Sequence, residues 1–274
     1  MSVRTVISFI LGAMTAGGAI VAHEHLRPNV TDDRIAAIVR AEVQADRAAP
    51  AGQPAEAEAF DERATRFLME QPEAIIAALD AFQARARQEE QELAKDALRS
   101  NADQLFANPA DPVIGNPDGA IVMVEFFDYL CGYCKRAMDD VIALAEANPD
   151  LKIVMKEFPI LEEGSVLAAR HALAVHRLEP AKYEAFHNRT MGARGPLNEA
   201  RLAGFAMEFG LEPADVAARA AAPDIDSDLK AVHNLARDLG IRGTPAFVIG
   251  DELAPGAVGL DALQALVDAA RERT

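Results

Sequence analysis

The sequence predicts an α/β domain that carries a long helical insertion and is preceded by a helical extension. Three observations predict it. Residues 120–127 form a near-continuous apolar run, as a strand buried on both faces requires. Residues 135–147 follow with helical periodicity and residues 151–158 return to a strand pattern, so strand, helix and strand make a parallel crossover. Residues 165–240 then read as helices, punctuated by Pro180, Gly195, Pro196, Gly210 and Pro223, before a short apolar strand at residues 246–249.

At the N-terminus, Arg4 precedes an uncharged and mostly apolar run that extends from Thr5 to Ala22, with His23 and Glu24 closing it. Small residues and Ala22 before a cut suit a cleaved signal peptide, whereas a length near the lower limit for crossing a bilayer suits an uncleaved anchor. A buried N-terminal helix is the blander alternative. Either exported form leaves the body of the protein in an oxidising compartment. Residues 23–107 are expected to form a helical extension. Thr31 caps a first helix with a narrow stripe of Ile35, Ile38, Val39 and Val43, which suits a spacer helix or a self-association seam. Residues 48–57, rich in Ala, Pro and Gly, suit a linker. Phe67, Leu68, Ile75, Ile76, Leu79 and Phe82 continue the helical pattern, with Pro72 opening a second helix.

Pro109, Pro112, Gly115 and Pro117 mark a boundary at about residue 108, with one short edge strand at residues 113–115. Beyond the strand at 246–249, residues 257–259 are expected to add another. Residues 260–271 form a terminal helix with Leu263, Leu266 and Val267 inward. The insertion covers about residues 164–240.

The formal net charge of -16 works against a phosphate backbone, which excludes nucleic acid as a partner. Two cysteines cannot build a disulfide framework, and their spacing as Cys131-Gly132-Tyr133-Cys134 makes them a reactive pair or half a metal site. Zinc needs about four ligands, and His171, His176, His187 and His233 show no ligand-like clustering. An inert bridge closing so short a loop stabilises little. Placed between a buried strand and a helix, the pair has a chemical purpose. Cys131, at the first turn, meets unsatisfied N–H groups and the positive end of the helix dipole, which favour thiolate, so it is the expected nucleophile. Cys134, one turn further in, resolves the mixed disulfide. Pro245 cannot sit inside a central strand, so it marks an edge, a bend or a cis bond, with Gly243 easing the turn.

These segments resemble the DsbA-like thioredoxin-fold proteins, in particular their Com1-like and ScsC-like branch. The match rests on Glu125-Phe126-Phe127-Asp128-Tyr129 before the cysteines, on Lys156-Glu157-Phe158-Pro159, and on Leu239-Gly240-Ile241-Arg242-Gly243-Thr244-Pro245-Ala246-Phe247, and covers about residues 109–274. The resemblance implies a thioredoxin-like fold, a cis Pro245 packed beside Cys131, and Thr244 offering backbone groups to an extended substrate peptide. It also implies that Glu125 is a buried acid that helps to move the proton of Cys134; from the residues alone, an exposed edge carboxylate is the alternative. Strongly oxidising members carry Pro-His between the cysteines. Gly132-Tyr133 and Thr244 are isomerase-like, which implies a milder oxidant.

The expected function is therefore thiol–disulfide exchange on exported, periplasmic proteins, as isomerase, reductase or mild oxidase. A redox-dependent holdase or copper-handling protein using the same dithiol is the rival. A membrane redox partner is expected and no cofactor. The extension is expected to bring two or more chains together, a monomer with a tethering extension being the alternative.

Overall fold

The computed structural model describes residue 62 and residues 65–273, so the apolar run expected to direct export, the helix expected after Thr31 and the linker expected at residues 48–57 lie outside the described residues. The chain divides into two compact units, residues 1–78 and 79–274. In the first, residues 65–70 are helical. Helix α1 (Glu73–Ser100) starts directly after Pro72, whose fixed φ and missing N–H suit a helix entrance. Phe67, Leu68, Ile75, Ile76, Leu79 and Phe82 are all exposed. Among the described residues, no helix is long and apolar enough to cross a membrane.

The second unit is built on a five-stranded sheet in the order β1-β3-β2-β4-β5. Strands β1 (Val113–Gly115), β2 (Ile121–Phe127) and β3 (Leu151–Glu157) are followed, after the insertion, by β4 (Ala246–Ile249) and β5 (Glu252–Pro255). β2 runs parallel to β3 and antiparallel to β4, joined to β3 through helix α3 (Gly132–Ala147). The last strand differs from the expectation at residues 257–259. β5 lies instead at Glu252–Pro255, paired with β4. An edge strand is hydrogen-bonded on one side only, so it tolerates Glu252 and the donorless Pro255 that weakened its sequence signal.

Alternation along β2 sends its residues to two cores. Met123 and Phe127 join Ile153, Met155 and Phe247 beneath α3 and the terminal helix α9 (Leu260–Glu272). Val124 and Phe126 join Val154, Ala246 and Val248 on the opposite face. That second face is covered by helix α8 (Pro223–Asp238), through Val232, Leu235 and Ala236, and by Leu98 of α1 and Leu105 of α2 (Ala102–Phe106). Here Lys156 is buried and its Nζ donates to Asp111 Oδ2 and to the Gln104 carbonyl.

The insertion consists of α4 (Glu163–Leu178), a 3-10 turn (Pro180–Lys182), α5 (Tyr183–Met191), α6 (Glu199–Glu208), α7 (Pro213–Ala220) and α8. Tyr183, Phe186 and Met191 of α5 pack into the first core, above the cysteine helix. The fold thus has the α/β sheet, the helical insertion and the helical N-terminal region that the sequence predicts.

Candidate active site

Because β2 and β4 are antiparallel, the C-terminal end of β2 and the N-terminal end of β4 meet at one end of the sheet's central strands. Phe126 pairs with Ala246, so the chain leaving β2 toward Cys131 lies beside the chain entering β4 from Thr244 and Pro245. The Thr244–Pro245 peptide is cis. Cys131 is the N-cap of α3 and its Sγ donates to the Thr244 carbonyl at 3.2 Å. The two cysteines are unlinked and buried, Cys134 the more deeply of the two, at 1% exposure against 7%.

Their acidities diverge for separate reasons. Burial opposes ionisation of Cys131, but hydrogen bonding with the side chains of Thr244 and Cys134, together with the N–H groups of Cys134 and Tyr133, more than offsets it and lowers its pKa. The contact to the Thr244 carbonyl holds the thiol form, while the helix N–H groups hold the thiolate. Cys134 lies inside the helix, and burial pushes its thiol far up.

Asp128 fixes the loop before Cys131. Its buried carboxylate accepts from Leu130 N at 2.7 Å, Ile160 N at 2.8 Å, Leu161 N at 3.1 Å and Ser165 Oγ at 2.7 Å. The loop is thereby bound to the end of β3 and the start of α4. Lys135 anchors the other side of α3, donating from Nζ to the Met191 and Ala193 carbonyls at 2.7 and 2.8 Å. Tyr133 stays 61% exposed, with the Arg136 guanidinium 4.1 Å from its ring centre.

Beneath the cysteines, Glu125 shares the face of β2 that carries Met123 and Phe127, and is 4% exposed. Burial pushes its carboxyl up to about 8. Glu125, Cys134 and His187 line one cavity of about 90 Å³, with Met138, Met155 and Met191 supplying apolar wall. Cys131, Cys134, Thr244, Pro245 and Glu125 thus come from three segments to one end of β2. Sequence reasoning missed Asp128, Tyr129, Glu157 and His187 as parts of this region. A charged or phenolic residue inside an apolar strand-end motif was the available signal, at Asp128, Tyr129 and Glu157. For His187 there was none. Among the described residues no cluster of His, Cys, Asp and Glu could hold a metal ion.

The model of the DSBA-like thioredoxin domain matches residues 122–268. A thioredoxin-like oxidoreductase from Silicibacter pomeroyi is similar at 45% identity, over 62% of this chain and 97% of that one, with a TM-score of 0.59. The catalytic domain of Proteus mirabilis ScsC is 34% identical over 64% and 97% of the two chains, with a TM-score of 0.59. The thiol-disulfide exchange protein α-DsbA2 from Wolbachia pipientis is 31% identical over 66% and 97%, with a TM-score of 0.63. The chain also matches a Na(+)/H(+) antiporter NhaA from Herminiimonas arsenicoxydans at 26% identity over 61% of its length, and spans about a quarter, 27%, of that protein. The chain belongs to the DSBA-like thioredoxin domain family of thiol–disulfide oxidoreductases.

Proposed function

We propose that this protein exchanges disulfides in exported proteins, with Cys131 as the attacking thiol and Cys134 as the resolving one. The observation that carries the reading is the junction itself: Cys131 caps α3 beside Thr244 and cis Pro245, while Cys134 is buried one turn inside. In the oxidative direction, a substrate thiolate attacks Sγ of Cys131, the Cys131–Cys134 bond breaks, and Cys134 leaves and takes up a proton. A second substrate thiolate then displaces Cys131. In the reverse direction the Cys131 thiolate attacks a substrate disulfide and Cys134, losing its proton, resolves the adduct. In this reading Glu125, whose carboxyl burial pushes up to about 8, lends its proton to Cys134, while Thr244 and Pro245 receive the substrate strand.

The dipeptide Gly132-Tyr133 favours a mild couple, hence isomerase or reductase work when a membrane redox partner keeps the pair reduced, and oxidase work otherwise. The apolar segment at residues 5–22 supports export to the periplasm, by signal peptide or anchor. Residues 108–274 carry the chemistry in this reading. The exposed apolar residues of the extension, Ile75, Ile76, Leu79 and Phe82, favour assembly of two or more chains.

Alkylation tests the roles. Iodoacetamide at mildly acidic pH should label Cys131 of the reduced protein first, and the reduced protein should reactivate scrambled ribonuclease. Labelling of Cys134 first would overturn the assignment. Stoichiometric Cu(I) uptake without any ribonuclease reactivation would favour the rival, a dithiol used as a ligand pair.

A further inference from the structure

A second buried acid sits behind the cavity, connected to it by an unbroken chain of hydrogen bonds. Tyr129 Oη is 3.0 Å from Glu157 Oε1 and 3.1 Å from His187 Nδ1. Tyr183 Oη donates to the same carboxyl oxygen at 3.0 Å. Tyr129 lies two residues before Cys131, Glu157 ends β3, and Tyr183 and His187 stand one turn apart on α5. All four side chains are buried. His187 is wedged against Phe127, 4.8 Å between ring centres, and its ring lines the cavity that Cys134 and Glu125 share.

We propose that Glu157, Tyr129 and His187 form a proton relay between the Glu157 carboxyl and the cavity under Cys134, supplying a proton when Cys134 leaves a disulfide and recovering it when Cys134 attacks. The proposal rests on the thiol roles assigned above. In the loaded state, Glu157 Oε1–H donates to Tyr129 Oη, Tyr129 donates to His187 Nδ1, and Nε2–H is free to serve the cavity. As the Cys134 thiolate departs it takes the Nε2 proton, directly or through water, for which the cavity has both room and polar walls. The Tyr129 proton moves to Nδ1 and the Glu157 proton to Tyr129. In the spent state every bond is reversed: Nδ1–H donates to Tyr129, and Tyr129 donates to the Glu157 carboxylate. No heavy atom needs to move, since the same two contacts serve both states.

One negative charge has passed from the sulfur to Glu157, where two phenols donate to it. Burial favours the loaded state, since it pushes the Glu157 carboxyl well up and holds His187 as a neutral imidazole. The other titratable groups around His187 are Glu125, Cys134, Glu146 and Glu184 along the cavity and Tyr183 on its own helix; Asp128 faces Glu157. A purely structural clasp would need the two phenols on Glu157 but not an imidazole in the wall of a cavity that a thiol also lines.

Opening of the oxidised full-length protein by dithiothreitol, followed by stopped flow in H2O and D2O, tests the relay. Glu157→Gln retains a hydrogen-bonding group but cannot deliver the proton, and Tyr129→Phe breaks the chain. Each should slow opening by about tenfold, short of the full range for acid catalysis because Glu125 remains. The solvent isotope effect should fall, while alkylation of Cys131 in the reduced protein stays within about twofold of wild type. Tyr183→Phe loses an equivalent bond outside the relay and should slow opening much less. Unchanged opening and isotope effect in a folded Glu157→Gln or Tyr129→Phe protein would overturn the relay. So would equal slowing by Tyr183→Phe, or a matching loss of Cys131 alkylation, either of which marks a structural clasp. If the dithiothreitol adduct forms on Cys134 instead of Cys131, the thiol roles themselves fail, an outcome distinct from slow opening with the adduct correctly on Cys131.

Discussion

The two faces of the β2–β3 layer hold buried charge in opposite ways. On the face away from the cysteines, Lys156 is 1% exposed and is tied to Asp111 and the Gln104 carbonyl. On the cysteine face, Glu125 and Glu157 are as deeply buried, yet among the described residues neither forms a salt bridge. A buried ion pair holds its charges in place, because separating them leaves an uncompensated ion. A buried acid without a cation instead stays neutral and can exchange its proton at accessible pH. The difference teaches that proton chemistry in this fold sits on the face where pairing is withheld.

Breaking the unpaired side at Glu125 should give the largest effect. The folded carboxyl keeps its proton up to about pH 8, whereas its ordinary value is 4.5, so between these values folding retains a proton that the unfolded chain has lost. Stability from this group therefore falls as pH rises through that window. Glu125→Gln removes the penalty, so the variant should gain over wild type from nothing near pH 4.5 to about 4–5 kcal/mol above pH 8, at roughly 1.4 kcal/mol per pH unit. His187 has the opposite sign: neutral when folded down to about pH 3 against an ordinary 6.5, it costs stability as pH falls through that range. Urea unfolding of both proteins across pH checks this, and a gain that does not depend on pH would refute the buried neutral acid.

The paired side should break more cheaply and without any effect on the thiol chemistry. Lys156→Met leaves Asp111 buried without its cation, an expected loss of about 3 kcal/mol, and adding Asp111→Leu should restore much of it. Dithiothreitol should open the disulfide at the wild-type rate in both variants, because neither position borders the cavity. A slowed opening in the restored double variant would show that the two faces are coupled and dissolve the contrast.

What the sequence disclosed follows the range of each interaction. Strands β2, β3 and β4 and the cysteine pair were readable because apolar runs and a three-residue spacing are local signals. Glu125 came from family resemblance, since nothing in its neighbours distinguishes a buried acid from an edge carboxylate. The bonds that join Tyr129 to Glu157 and to His187 were not readable, since they link residues 28 and 58 positions apart. The pairing of Lys156 with Asp111 was hidden in the same way, 45 positions apart. β5 was misplaced because an edge strand needs little hydrophobicity, and a motif built around apolar runs overlooks Glu252–Pro255.

Lys135 offers the finest test of the contrast, because it is a cation on the cysteine face that is paired with carbonyls and not with an acid. Its ammonium closes the end of α5 through Met191 and Ala193 and is held below its ordinary pKa chiefly by burial, with Arg201 adding repulsion. Lys135→Met should cost about 1–2 kcal/mol, the worth of charge-assisted hydrogen bonds at a half-buried site. It should also raise the pH midpoint of Cys131 alkylation by about a few tenths of a unit, since a nearby positive charge favours the thiolate. Lys135→Arg separates the two effects: a guanidinium keeps the charge but is poorly shaped for two converging carbonyls, so the midpoint should return while the stability does not. Both quantities moving together in the Arg variant would mean that Lys135 acts on Cys131 only by holding α3 in place, and that the field on this face is set by the helix terminus and the Thr244 loop alone.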